Sequence, residues 1–168
     1  TTVRDPHAKK TTADFFKDVP ARLFPVGRLD RDTTGLLIMT NDGDLAFRLS
    51  HPRFEVEKRY KVEVKGRLTD EETRRLEKGA VLKEGKTAPC KIQIRERTDT
   101  RTRLLIALHE GKKRHIRRIF DKAGHPVRVL ERLDIGPLSL GNLKPGERRE
   151  LKPAEVLALK KAVDPRVV

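Results

Sequence analysis

Residues 55–65 read EVEKRYKVEVK, and their alternation limits the fold more than any other stretch. Val56, Lys58, Tyr60, Val62 and Val64 fall on one side, and Glu55, Glu57, Arg59, Lys61 and Glu63 on the other. Only a strand, whose side chains point to opposite faces in turn, sorts such a run into an apolar and a charged side. A sheet with one covered face is therefore required. APCKIQIRE and TRLLIALHE repeat the pattern and read as antiparallel neighbours across the polar turn Thr98–Thr102. LLIMT (36–40) reads as a buried strand closed by the turn Asn41-Asp42-Gly43, and VRVLERLDIGPLSL as a strand broken at Gly136-Pro137.

Helical signals lie between these strands. Asp44 can cap a short helix, LAFRLS, that stops near His51-Pro52. Thr69-Asp70-Glu71-Glu72 is a capping-box pattern opening a helix that ends near Gly79. In KKRHIRRIFDKAG, Ile116, Ile119, Phe120 and Ala123 make an apolar stripe and Gly124 a stop. Pro153 opens a last helix, AEVLALKKAV. Residues 1–25 read as loop-rich, with a short apolar piece at Phe15-Phe16. Hairpins and interspersed helices, without repeated strand–helix–strand units, predict an α+β domain on a mixed, largely antiparallel sheet. The length, 168 residues, suits one domain.

Charge bears on partners. Lys and Arg number 39 against 25 Asp and Glu, a net charge of +14, which points to a polyanion. Cys90 is the one cysteine, so an internal disulfide and a four-cysteine zinc site are excluded; it alternates with Ala88, Ile92 and Ile94 and reads as a core residue. No apolar run approaches a membrane span and no signal peptide is present, so a reducing, cytoplasmic setting is expected. The chain opens on TTVRDP without an initiator Met, which is compatible with a fragment. The spacing of His7, His51, His109, His115 and His125 fits solvated or capping histidines better than metal ligands. Phosphate-binding and dinucleotide glycine loops and the serine elbow are missing, so no nucleotide cofactor is expected.

Three features remain for chemistry. GRLDRDTTG (27–35) holds two carboxylates, two guanidiniums and two hydroxyls. Turn chemistry alone accounts for Asp30, Asp32, Thr33 and Thr34, all of which can bond nearby backbone N–H groups, and it leaves the two aspartates equivalent. The 111–124 helix carries Lys112, Lys113, Arg114, Arg117, Arg118 and Lys122. On a helical wheel Arg114 and Arg118 lie far from the apolar stripe, while Arg117 lies beside it, roughly 110° from its centre. Arg117 can snorkel along that seam to a buried edge, or all six can form one solvated or RNA-facing basic face, and wheel geometry alone does not choose. Tyr60, the only tyrosine, sits on the apolar face of its strand, where a core role suffices.

Taken in order, GRLDRDTTGLLIMTNDG, EKRYKVEV, EGKKRHIRRIFDKAGHPV and LERLDIGPLSLGNLKPGERREL resemble the pseudouridine synthases of the RsuA/RluB branch, and the last segment is most similar to the RluB group. The resemblance runs from about residue 3 to about residue 158. It implies a mixed, mainly antiparallel sheet flanked by helices, with the active-site cleft crossing it, and no metal or organic cofactor. It implies that Asp30 is the catalytic aspartate, that Tyr60 packs on the target base and accepts a proton, and that Arg117 pairs with the aspartate. Physically, a guanidinium in contact with a carboxylate keeps it ionised and oriented in a partly dry pocket. Family members carry a small N-terminal RNA-binding domain and a first strand of the form NKPxG. Neither is in this chain, so residues 1–168 are read as the catalytic domain.

The expected reaction is isomerisation of a uridine in ribosomal RNA, in the large subunit rather than the small. The partner is ribosomal RNA or a pre-ribosomal particle, met by a monomer that crosses no membrane and needs no small-molecule cofactor. The target base must leave its stack to be reached. Arg28, Arg31, Lys112, Lys113, Arg114, Arg118 and Arg132 are expected to hold the RNA backbone, together with Arg101, Arg103 and Arg128. The competing expectations are a catalytically silent RNA-binding or ribosome-assembly module and, on charge alone, a DNA-binding protein.

Overall fold

The computed structural model describes residues 12–83, 85–112 and 114–167. A 3-10 helix at Thr12–Phe16 precedes three two-residue strands, β1 (Phe24–Pro25), β2 (Thr34–Gly35) and β3 (Met39–Thr40). Helix α1 (Gly43–Ser50) leads through a short turn of 3-10 helix to β4 (Lys58–Lys65) and α2 (Asp70–Glu77). The hairpin β5 (Val81–Leu82) and β6 (Gly85–Lys86) comes before the long pair β7 (Lys91–Arg97) and β8 (Arg101–Leu108). Then follow α3 (His115–Lys122), β9 (Val127–Ile135), β10 (Leu138–Ser139) and α4 (Pro153–Val163).

The main sheet runs β10-β9-β4-β8-β7, all antiparallel, and β2 joins β9 in parallel. The fold is thus α+β on a mixed, mainly antiparallel sheet, as the periodicities require. The alternation of 55–65 decides the faces of β4: Tyr60, Val62 and Val64 are buried, while Arg59, Lys61 and Lys65 are exposed. The β7–β8 hairpin closes where expected, with the Thr98 N–H donating to the Arg101 carbonyl at 2.9 Å. The capping box on α2 is complete: the Glu72 N–H donates to the Thr69 hydroxyl, and the Thr69 N–H to the Glu72 carboxylate.

Two expectations need correction. Helix α1 is capped by Asp42, whose Oδ1 accepts from the Leu45 N–H at 3.0 Å, not by Asp44. Asp44 lies in the first turn and holds Arg48 Nε at 2.7 Å. LLIMT is also less of a strand than its composition suggests, since only Met39–Thr40 pairs, with β1. Leu36 and Ile38 are nevertheless buried, and the Leu36 N–H bonds the Arg132 carbonyl at 2.8 Å. Burial, rather than a ladder, is what its apolar character serves.

The apolar side chains form two cores. The first joins Tyr60, Val62 and Val64 of β4, Leu104, Ile106 and Leu108 of β8, Leu76 of α2, Ile116, Ile119 and Phe120 of α3, and Leu130 of β9. The second joins Val26, Leu36 and Ile38 to Leu45, Ala46 and Leu49 of α1, Ile135, Leu138, and Leu159 and Val163 of α4. Strand β9 contributes to both. Cys90 packs against the first core, and burial pushes its thiol up to about 12, which keeps it protonated and unreactive at neutral pH.

His51 caps the turn after α1, accepting from the Arg53 N–H at 3.2 Å. His115 and His125, expected to be solvated or capping, are buried, and His125 Nδ1 lies 2.9 Å from the Lys65 carbonyl oxygen. His115 enters the first turn of α3 on its inward face, and burial lowers its pKa, favouring the neutral ring. Among the described residues, no helix is long and apolar enough to cross a membrane, and no group of three or more His, Cys, Asp or Glu side chains could hold a metal ion.

Candidate active site

A cavity of about 240 Å³ lies at the junction of the two cores. Tyr60, Leu108, Ile116 and Leu130 reach it from the first core, and Val26, Leu49 and Ile135 from the second. Asp30 borders it from the loop between β1 and β2, and Arg132 from β9. Asp30 also borders a larger open cleft of about 1830 Å³ that runs past Arg31 toward Lys144 and Arg148.

The loop carrying Asp30 is held at several points. The Thr33 N–H donates to the Asp30 carbonyl at 3.0 Å, closing the tight turn that the Asp/Thr composition predicts. Beyond it, Gly35 has φ +105°, and a Cβ there would stand 2.2 Å from the Arg132 carbonyl oxygen. Only glycine lets β2 come so close to β9. From the other side, Arg132 Nε donates to the Leu36 carbonyl at 2.8 Å and Nη1 to the Arg28 carbonyl at 3.4 Å. Asp30 itself is half-buried, and among the described residues its carboxylate has no hydrogen bond or ion pair.

The two aspartates that turn chemistry left equivalent are now distinct. Asp32 is gripped by Arg114 through two hydrogen bonds, at 2.9 and 3.2 Å. Arg117 donates from Nη2 to the Asp32 carbonyl at 2.6 Å and from Nη1 to the Val127 carbonyl at 3.1 Å. Its Nε stands 3.1 Å from the Asp32 carboxylate, an ion pair without the alignment of a hydrogen bond. The Arg114 bonds, and after them the charge of Arg117, hold the Asp32 carboxyl below its usual range. Arg117 is buried, as its place beside the apolar stripe allows, but its partner differs from the expected one: it meets Asp32, not Asp30. From α3 the guanidinium reaches the backbone of the turn, and the residue at that turn is Asp32.

Tyr60 is 9% exposed, stands opposite Arg132 across a bulge between β4 and β9, and its hydroxyl makes no hydrogen bond among the described residues. Lys58, two positions earlier on the same face, also lines the cavity and was not singled out from sequence. The signal was present, since a lysine among Val56, Tyr60 and Val62 on an inward face is out of place.

The expected backbone-binding residues divide. Arg28, Arg31, Lys112 and Arg114 are exposed, and Arg118 is half-buried on α3. Lys113 lies outside the described residues. Arg132 corrects the expectation of a surface contact: it is 3% exposed, because its position on β9 turns it into the cavity and onto two loop carbonyls. Arg101 and Arg103 are spoken for by Glu96 and Glu63 across the sheet.

Comparison with known proteins identifies the family. A family model described as RNA pseudouridylate synthase matches residues 2–122. The chain is 44% identical over 163 residues to a protein of Bacillus subtilis (strain 168) named ribosomal large subunit pseudouridine synthase B, covering 96% of this chain and 67% of that protein. It is also 44% identical over 160 residues to an uncharacterized RNA pseudouridine synthase of Aquifex aeolicus (strain VF5), covering 95% and 64%. The chain thus spans about two thirds of the length of these relatives. A solved structure titled as a crystal structure of pseudouridylate synthase superposes with a TM-score of 0.76 at 31% identity, over 82% of this chain and 59% of that one. With a matching family model over most of its length and relatives this similar, the chain belongs to the RNA pseudouridylate synthase family.

Proposed function

We propose that this chain, as a catalytic domain, isomerises a uridine of large-subunit ribosomal RNA to pseudouridine, with Asp30 as the reacting carboxylate. The observation that carries the reading is that Asp30 and Tyr60 line one small cavity, and that among the described residues the carboxylate has no hydrogen bond or ion pair and the hydroxyl no hydrogen bond. A free carboxylate on a held loop is suited to attack or proton removal, whereas Asp32, locked by two arginines, is suited to neither.

In the reaction the bond from ribose carbon 1′ to base nitrogen 1 breaks, and one from carbon 1′ to base carbon 5 forms. Carbon 5 loses its proton and nitrogen 1 gains one, so no redox equivalent or energy source is consumed. Asp30 serves the breaking of the first bond, and the Tyr60 hydroxyl accepts the proton leaving carbon 5. Arg117 acts through Asp32, fixing the turn that presents Asp30. The base enters flipped out of its stack, at a cost of a few kcal/mol. Arg28, Arg31, Lys112, Lys113, Arg114 and Arg118 hold the backbone around it. We read the protein as a cytoplasmic monomer acting on ribosomal RNA or a pre-ribosomal particle.

The test is tritium release from bacterial large-subunit ribosomal RNA carrying 5-tritiated uridine. Wild-type protein is expected to release tritium, and Asp30→Ala to bind the RNA but release none. Binding without release by the wild type would favour the silent RNA-binding module.

A further inference from the structure

Two cations, Lys58 and Arg132, line the cavity without an ion pair among the described residues, although two carboxylates line it too: Asp30, and Glu110, which lies 3.6 Å from Lys112 and 3.7 Å from His115. Arg132 Nε and Nη1 are occupied by loop carbonyls, but Nη2 is buried and has no hydrogen-bond partner. A buried donor left unmade costs about 1–3 kcal/mol, and more when charged. Lys58 lines the same cavity on the neighbouring strand. Its ammonium donates to the Val56 carbonyl at 3.0 Å, and among the described residues no carboxylate lies within ion-pair distance of it. An ammonium has three donors, so two remain. Burial, and then the charge of Arg132, bring Lys58 down to about 8, the behaviour of a cation placed where its charge is unwelcome. Arg114 and Arg117 meet Asp32 and Arg59 meets Asp134, whereas Arg28, on the rim of the cavity, is exposed to solvent, which buried Arg132 is not. Asp30, on the same cavity, pairs with neither Lys58 nor Arg132.

We propose that Lys58 and Arg132 form a subsite that grips a phosphodiester group of the RNA strand entering the cavity, beside the Asp30–Tyr60 pair. The proposal rests on the RNA-modifying reading above and deepens it. A phosphodiester carries the negative charge that both groups lack, and its two free oxygens can take the Arg132 Nη2 and the Lys58 ammonium together. A neutral base carbonyl would leave the two like charges uncompensated. In the free protein neither cation has an ion-pair partner among the described residues, and a bound phosphodiester pairs with both.

The experiment measures RNA affinity against salt, and thermal stability, for wild type, Lys58→Met and Lys58→Arg. The probe is transcribed bacterial large-subunit ribosomal RNA. Lys58→Met is expected to bind about tenfold more weakly at low salt, and to lower the slope of log affinity against log salt by roughly 0.7–0.9, the release of one phosphate contact. It is also expected to melt at a higher temperature than wild type, because the unpaired charge is gone, and Lys58→Arg to restore the slope. Unchanged affinity and slope in Lys58→Met would overturn the subsite. So would a lower melting temperature with an unchanged slope, the mark of a merely structural lysine, and so would failure of the wild type to bind the RNA. Tritium release by the wild type, measured in parallel, separates the two readings: release with an unchanged Lys58→Met slope removes the subsite alone, and binding with a changed slope but no release removes the catalytic reading alone.

Discussion

Asp32 receives contacts from two arginines, and that arrangement defines the work of Arg117. With Nη2 on the Asp32 carbonyl and Nε beside its carboxylate, Arg117 fixes the turn two residues beyond Asp30. Arg117→Ala is therefore expected to lower turnover far more than RNA affinity, and to couple to Asp32→Ala by about 0.5–3 kcal/mol in a double-mutant cycle of kcat/KM. Equal losses of turnover and affinity, or additive single effects, would contradict this. At this scale the sequence placed Arg117 beside the α3 stripe, because wheel position is local, and only the structure buried it. It could not show which aspartate that arginine meets, because both stand in one turn and differ only in direction.

Among the elements, β2 is one of several two-residue strands, and it has the largest consequence for the site. Two residues pair in parallel with β9, and Gly35 allows the approach. Gly35→Ala places a Cβ on the Arg132 backbone at a positive φ. The strained backbone alone is expected to destabilise the protein by about 1–3 kcal/mol, and the overlap adds to it. The check is a lower urea midpoint with an unchanged m-value; a variant as stable as wild type would show that β2 can move off β9 freely. The longer elements were legible because each carries its own signal: alternation in β4, β7 and β8, the capping box of α2, the opening proline of α4. β2 was not, since two residues hold no periodicity, and β3 was legible only within the longer LLIMT run, because the pairing of each depends on where β9 and β1 come to lie.

Across the whole molecule, two cores share β9 and enclose the cavity between them, so they are expected to unfold together. Leu159→Ala in the second core and Phe120→Ala in the first are each expected to lose about 2–5 kcal/mol. In both variants, near- and far-ultraviolet circular dichroism should follow one transition. Separate transitions would mean that the cores are independent units. The sequence by itself determined the α+β class, the inward faces of the long strands, the basic charge that calls for a polyanion, and the motifs that mark the family. Those properties follow from local periodicity, capping chemistry and composition, which neighbouring residues carry among themselves. Only the tertiary structure decided that Asp30 is left unpaired while Asp32 is clamped, that Arg132 turns inward, and that Lys58 joins it on one cavity. Those are encounters between side chains far apart in the chain, and their charges acquire meaning only from the distances and burial that the packed sheet imposes.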